Sequence, residues 1–186
     1  FNVGFINRRL PQTRGGVAWG ITRWGRRTWM DHSYLLLKSL HILGAILFLG
    51  NIIITGWWKF MADRTRDTRV IAFAQRQVTL TDFVFTAGGA ALVFGAGLGN
   101  AALHGMNYLA IRWLAWGLGL FIVSGVIWAT ILIPIQIKQA HMAKQFADQD
   151  AVPEGYWRLC RWWNFFGAIA TILPLINIYW MVYKPS

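Results

Sequence analysis

The chain has 186 residues, of which 56% are hydrophobic and 16% aromatic, and it carries a net charge of +11. Its mean hydropathy of +0.41 is typical of membrane proteins, and we expect no separate soluble domain in it. A single cysteine excludes an intramolecular disulfide and any multi-cysteine metal or iron–sulfur site. The basic residues flank apolar segments, where they contact lipid headgroups, so the charge does not indicate nucleic-acid binding.

Residues 1–32 form a basic N-terminal tail that is too polar to span a bilayer. Trp19, Trp24 and Trp29 are interleaved with its charges, and this combination suits a segment that lies on a membrane surface or against a partner protein. The arginines that we expect to contact lipid or a partner are Arg8, Arg9, Arg14, Arg23, Arg26 and Arg27.

Residues 33–186 form the membrane domain and contain four long apolar segments. Roughly 20 helical residues suffice to cross a hydrocarbon core about 30 Å thick. The segments cover residues 34–58, 81–101, 113–137 and 162–183. The sequence therefore predicts an all-α, polytopic bundle of four transmembrane helices, with charged connectors at 59–80 and 138–161 on the same side of the membrane.

One stripe of the first segment combines polar and small residues at steps of three or four. Ionisable groups in apolar spans are costly and tend to face the bundle interior. The imidazole of His41 could ligate haem iron or copper or relay a proton, or it could make an interhelical hydrogen bond beside Gly44. The stripe consists of Lys38, His41, Gly44, Phe48, Asn51 and Thr55.

The second segment carries small residues at strict four-residue spacing, which places them on one face and predicts close helix packing. These residues are Ala87, Ala91, Gly95 and Gly99. Asp82 lies just inside the same segment, and together with Lys38 and Asn51 we expect it to be buried. It is interpreted as a structural anchor paired with Lys59, Arg76 or Arg158, with a proton relay as the alternative.

Two further residues have specific expectations attached to them. His104 lies in the short link between the second and third segments, on the side where the first segment begins, and is the candidate second ligand beside His41. Pro174 should kink the fourth helix, and a neighbouring polar group is expected to satisfy the carbonyl that the proline leaves free.

The distribution of basic residues predicts an orientation. The two charged connectors carry five and four Lys and Arg residues, against six on the other side when only the tail residues near the membrane count. This excess favours cytoplasmic connectors and periplasmic termini. Counting the whole tail gives nine on each side.

Several short motifs resemble a bacterial family of integral membrane proteins, the domain of unknown function 2269. They run in order from about residue 30 to the C-terminus: LLKSLHILGA at 36–45, ADR at 62–64, TLTD at 79–82, YWRL at 156–159 and WMVYKP at 180–185. The resemblance implies the fold and a location in the bacterial inner membrane. It implies no activity, because the family has none established, and it leaves residues 1–29 as an extension.

The first-segment motif is also similar to the haem-binding membrane protoporphyrinogen oxidases and to copper-resistance protein D. In both groups a histidine in the corresponding helix is thought functional, which implicates His41. Those oxidases also need a basic residue in a later span, and the second, third and fourth segments have none at depth. An enzyme is therefore not the favoured interpretation.

Three functional hypotheses follow. The favoured one is a noncatalytic accessory subunit that packs onto a larger membrane complex, respiratory or photosynthetic, through its small-residue stripe and arginine tail. The second is a redox protein that binds haem b or copper at His41, with His104 as the further ligand. The third is a small transporter, which usually needs a polar pathway or broken helices at the midplane.

Overall fold

The computed structural model describes the backbone of residues 16–184 and the side chains of residues 31–184. Every regular element in this range is helical, and the four long helices are α1 (Gly16–Thr65), α2 (Thr68–Leu103), α3 (Arg112–Phe146) and α4 (Glu154–Tyr183). All four, α1 from Asp31 onward, are long and apolar enough to cross a membrane. The predicted all-α, four-span architecture is confirmed. Arg8, Arg9 and Arg14 lie outside the described residues, as do the side chains of Arg23, Arg26 and Arg27.

The helices are longer than the apolar segments, because both charged connectors are mostly helical. Between α1 and α2 only Arg66 and Asp67 break the helix, and Arg66 takes a left-handed conformation with φ 59°. A helix of 35 residues, such as α3, rises roughly 50 Å, well beyond a hydrocarbon core of about 30 Å. The connector end of the bundle therefore extends past the membrane interior.

A small core holds this extended end together. Asp67 caps α2 by accepting hydrogen bonds from the backbone N–H groups of Arg69 and Val70, at 2.8 and 3.1 Å. Apolar side chains from α2, α3 and α4 then pack behind the cap. The buried members of this core are Ile71, Ala143, Phe146, Tyr156 and Cys160.

Two of the helices contain a π-helical segment. In α2 it covers Asp82–Thr86, between the α-helical stretches Thr68–Thr81 and Ala87–Leu103. In α3 it covers Trp128–Leu132. Each segment places an extra residue in a turn, which rotates the face that the rest of the helix presents, and such segments are frequent at functional sites.

Glycines set the close approach of α1 to α2. A Cβ atom at Gly44 would lie 2.8 Å from the carbonyl oxygen of Gly89, and one at Gly89 would lie 2.6 Å from the backbone nitrogen of Phe48. Both distances are shorter than real Cβ contacts, so only glycine fits at either position. Small residues allow this kind of backbone contact between membrane helices.

The predicted small-residue stripe is not the face that α2 turns toward α1. Ala91 and Gly95 are exposed, Ala87 is half-buried, and Gly99 packs against the side chain of Leu37 on α1. An α-helix repeats every 3.6 residues, so a strict four-residue stripe drifts around the helix. The face that contains Gly89 is selected because it meets Gly44.

The α3–α4 pair is joined by polar contacts to backbone carbonyls. The Nδ2 group of Asn177 donates to the carbonyl oxygen of Gly117 at 3.0 Å. The hydroxyl of Ser124 donates to the carbonyl of Ala170 at 2.8 Å. Ala170 precedes Pro174 by four residues, so its carbonyl is the one that the proline cannot bond. The prediction that a polar neighbour satisfies this group is confirmed.

Candidate functional site

A buried polar group joins α1 to the π-helical segment of α2, and we call it the Asp82 cluster: Asn51, Asp82 and Thr86. The Nδ2 group of Asn51 donates to Oδ1 of Asp82 and to Oγ1 of Thr86, both at 2.9 Å. The Thr86 hydroxyl donates to the same carboxyl oxygen at 2.9 Å. The three residues are 8%, 7% and 1% exposed. The π-helical segment begins at Asp82 and ends at Thr86, so both turn inward.

The cationic partners expected for Asp82 are elsewhere, and that expectation is wrong. Lys59 pairs with Asp63 at 3.3 Å, whereas the side chains of Arg76 and Arg158 are exposed. Among the side chains that the structure describes, no ion pair includes Asp82. Neutral donors, an amide and a hydroxyl, take the place of a cation.

A cavity of about 380 Å³ opens beside the Asp82 cluster, and all four helices line it. Small-molecule sites fall between about 300 and 1,000 Å³ and combine an apolar lining with a few polar groups. Besides Asp82 and Thr86, its polar lining includes Thr55, Ser124 and Gln136. Its aromatic lining consists of Phe48, Phe121, Trp128 and Trp163.

A second polar group, the Lys59 cluster, lies toward the connector end and takes residues from every helix: Lys59, Asp63, Gln75, Gln139, Tyr156 and Cys160. Lys59 is only 1% exposed, and its Nζ donates to the Tyr156 hydroxyl at 2.8 Å. That hydroxyl lies 3.2 Å from Oε1 of Gln75, to which it donates. The thiol of Cys160 lies 3.2 Å from Nε2 of Gln139 and 3.6 Å from Nζ of Lys59.

The sequence pattern does not predict the Lys59 cluster, because all six members lie in the charged connectors at 59–80 and 138–161 rather than in the apolar spans. Gln75 follows Ile71 by four residues, and Gln139 precedes Ala143 by four, so each shares a helix face with a buried apolar residue. That spacing is the signal that could have placed both amides inside a helical bundle. Gln136 of the cavity lining shows the same four-residue step from Leu132.

The residues of the first-segment stripe have different surroundings. Lys38 is exposed rather than buried, and its Nζ lies 5.6 Å from the ring centre of Tyr34. His41 is half-buried, and its Nδ1 is 2.8 Å from the carbonyl oxygen of Val93 on α2. A Cβ atom at Gly97 would lie 3.2 Å from the imidazole, so the glycine makes room for the ring.

The structure does not bring His104 together with His41. His104 is exposed, its Nδ1 is 2.8 Å from the carbonyl oxygen of Asn100, and its ring packs on that of Tyr34. The carbonyls of Val93 and Asn100 that hold the two imidazoles are seven residues apart, roughly 10 Å along α2. Metal–nitrogen bonds are about 2 Å long, so these two rings do not share one metal ion in this arrangement.

Comparison with known proteins identifies a family but no individual related protein. A family model described as a predicted integral membrane protein, DUF2269, matches residues 35–185. No curated protein and no solved structure matches significantly. The more distant resemblance to the haem and copper proteins receives no support. Because the matched region covers most of the polytopic chain, the protein belongs to the family of predicted integral membrane proteins with domain of unknown function 2269.

Proposed function

We propose that the chain is a noncatalytic accessory subunit that packs onto a larger membrane complex, respiratory or photosynthetic. One observation carries the proposal: an outer stripe of α2 that consists of Gly88, Ala91 and Gly95. All three are exposed, and a Cβ atom at either glycine would have no neighbour within 4 Å. We call this stripe the outer small face.

The outer small face has the composition of a helix contact without a helix against it in the described chain. Lipid tails are as apolar as leucine, so membrane helices associate by close packing, and small residues permit it. Packing inside the bundle uses Gly44 and Gly89 instead. A transmembrane helix of another subunit is the occupant that this face suits.

The test is substitution of Ala91 and Gly95 by leucine, followed by native electrophoresis and co-purification from mild detergent. We expect at least a tenfold loss of co-purified partners, which corresponds to about 1.4 kcal/mol. Gly50→Leu is the matched control, because Gly50 is exposed on α1 and a Cβ there also has no neighbour within 4 Å. Unchanged recovery of the complex by the double variant would contradict the proposal.

The arginine tail is the second contact that we propose for this subunit. A deletion of residues 1–29 tests it independently of the outer small face, because it leaves the four spans intact. Release of the truncated chain from the complex is the expected result, and full retention would remove the tail from the interface.

The second candidate function is a redox role, and the hydrogen bond of His41 is the observation that favours it. Ligating histidines usually donate from the second ring nitrogen to a carboxylate, a backbone carbonyl or water, and Nδ1 of His41 lies 2.8 Å from the carbonyl oxygen of Val93. Because His104 does not face the same ion, a haem b or copper ion at His41 would need another ligand.

The redox hypothesis predicts a cofactor that depends on His41. A reduced-minus-oxidised absorption spectrum and metal analysis of the purified chain should show haem or stoichiometric copper, and His41→Ala should abolish either. His104→Ala serves as the comparison, since the two rings are held apart. Equal cofactor content in the His41 variant and the native chain would exclude His41 as a ligand.

The transporter hypothesis stays a prediction. The Asp82 cluster supplies a polar group inside the bundle, and the π-helical segment interrupts α2 at the same place.

A further inference from the structure

The cavity beside the Asp82 cluster lies between the two tightly packed helix pairs. Gly44 and Gly89 bring α1 and α2 together, and Asn177 and Gly117 join α4 to α3. The volume of about 380 Å³ is room for an organic molecule rather than for one or two waters, which occupy about 30 Å³ each in the liquid.

The carboxyl group at the cavity wall has no cationic partner among the described side chains. Asp82 lines the cavity, and the two side chains that bond its Oδ1, Asn51 and Thr86, are neutral donors. A charge inside a bundle is costly unless a partner of opposite sign is present, so a cation in the cavity would stabilise this site.

Among the side chains described for residues 31–184, the charged groups on the surrounding helices do not supply that cation. On α1, Lys59 is bonded to Asp63 and to the Tyr156 hydroxyl. The other basic side chains near this level are exposed, and Arg161 pairs with Glu154 at the surface. These exposed residues are Arg76 on α2, Lys138 on α3 and Arg158 on α4.

Aromatic rings form much of the remaining wall. The face of an aromatic ring attracts a cation, and the attraction is largest where water is excluded. Trp163 shows this property already, since Nζ of Lys59 lies 5.7 Å from its ring centre. Trp163 also donates from Nε1 to Oε1 of Gln136 at 3.4 Å, which fixes the ring at the cavity wall.

We propose that this cavity binds a lipophilic organic cation, an amine or quaternary ammonium with an apolar body. Asp82 is the counter-ion of its charged end, and the rings of Phe48, Phe121 and Trp128 contact its apolar body. The preference follows from the combination of one uncompensated carboxyl group with an aromatic lining. The carboxyl group favours the charged end of the molecule, and the aromatic lining favours its apolar body.

The probe is benzyltrimethylammonium, which has an aromatic body and a permanent charge. Isothermal titration of the full chain in detergent should give saturable binding. Neopentylbenzene has the same shape, with a carbon atom in place of the charged nitrogen. In competition experiments it should bind at least tenfold more weakly than benzyltrimethylammonium. Equal competition by this neutral molecule, or the absence of saturable binding of the cation, would overturn the proposal.

Asp82→Asn removes the charge and keeps an oxygen that accepts from Asn51 and Thr86. We expect at least a tenfold loss of affinity for the cation and little change for neopentylbenzene. Asp148→Asn is the control, because Asp148 is an exposed carboxylate outside the cavity lining. Undiminished cation binding by a folded Asp82→Asn variant would refute the role of the carboxylate.

A second pair of variants tests, independently of Asp82, whether the cation binds in this cavity. Gly125 lines the cavity, and a Cβ atom there has no neighbour within 4 Å, so Gly125→Leu fills space without a clash at its first atom. Gly119 on the same helix has equally open surroundings but does not line the cavity. Gly125→Leu should abolish binding and Gly119→Leu should preserve it; equal binding by both would place the ligand elsewhere.

Discussion

At the scale of single residues, the Tyr156 hydroxyl links three helices at the connector end. It accepts from Nζ of Lys59 at 2.8 Å and donates to Oε1 of Gln75 at 3.2 Å, and the residue is fully buried. The ring also lies under Lys59, whose Nζ is 4.9 Å from its centre. A single oxygen atom therefore bonds a buried ammonium group on α1 and the buried side-chain carbonyl of Gln75 on α2.

Tyr156→Phe should destabilise the bundle by about 1–3 kcal/mol, because Oε1 of Gln75 loses its donor and Lys59 keeps only Asp63 and Cys160 as partners. Tyr179→Phe is the matched control on the same helix, since Tyr179 is 59% exposed, and we expect a change within about 0.5 kcal/mol. The measurement is equilibrium unfolding in mixed micelles. Equal stability of the two variants would show that the hydroxyl contributes nothing.

At the scale of the helices, α4 tolerates a proline because α3 supplies the missing hydrogen bond. The Ser124 hydroxyl bonds the Ala170 carbonyl at 2.8 Å, one turn before Pro174, and both side chains are buried. The two residues are distant in sequence and act on one backbone group, so their substitutions should not be additive.

Ser124→Ala alone should cost about 1–3 kcal/mol, the penalty of an unpaired buried carbonyl. In a Pro174→Ala background the backbone N–H can bond Ala170, so the serine substitution should become nearly neutral. Thr130→Ala is the control, since Thr130 is exposed and bonds only its own helix. Additive effects in this double-mutant cycle, measured by unfolding, would contradict the coupling.

At the scale of the whole molecule, the bundle has two levels with different chemistry. The membrane level contains two helix pairs with the cavity of about 380 Å³ between them. Glycine contacts hold α1 against α2, and side-chain hydrogen bonds to backbone carbonyls hold α3 against α4. The connector level contains an apolar core and the Lys59 cluster, which joins all four helices. At the connector level the hydrogen bonds of Tyr156 to Lys59 and Gln75 join the two helix pairs.

The sequence by itself determined the class of the protein. Apolar runs of sufficient length predict spans, because a bilayer imposes a minimum length on any helix that crosses it. The motifs between residues 36 and 185 identified the family that the comparison shows. Pro174 predicted a polar neighbour for its free carbonyl, because a proline always leaves that group without its helical partner.

Only the tertiary structure decided which faces meet. The regular stripe with Ala91 and Gly95 points outward, whereas Gly89 contacts α1, because a contact face requires a complementary glycine at the matching height on another helix. The same reason explains the partner of Asp82 on α1, since Asn51 lies at the matching height and bonds its carboxyl group. The composition of a segment indicates whether it can cross a bilayer. How far each helix is rotated about its axis, and how far it is shifted along the membrane normal, depend on packing against the other helices. The polar clusters and the cavity therefore form only when the four helices assemble.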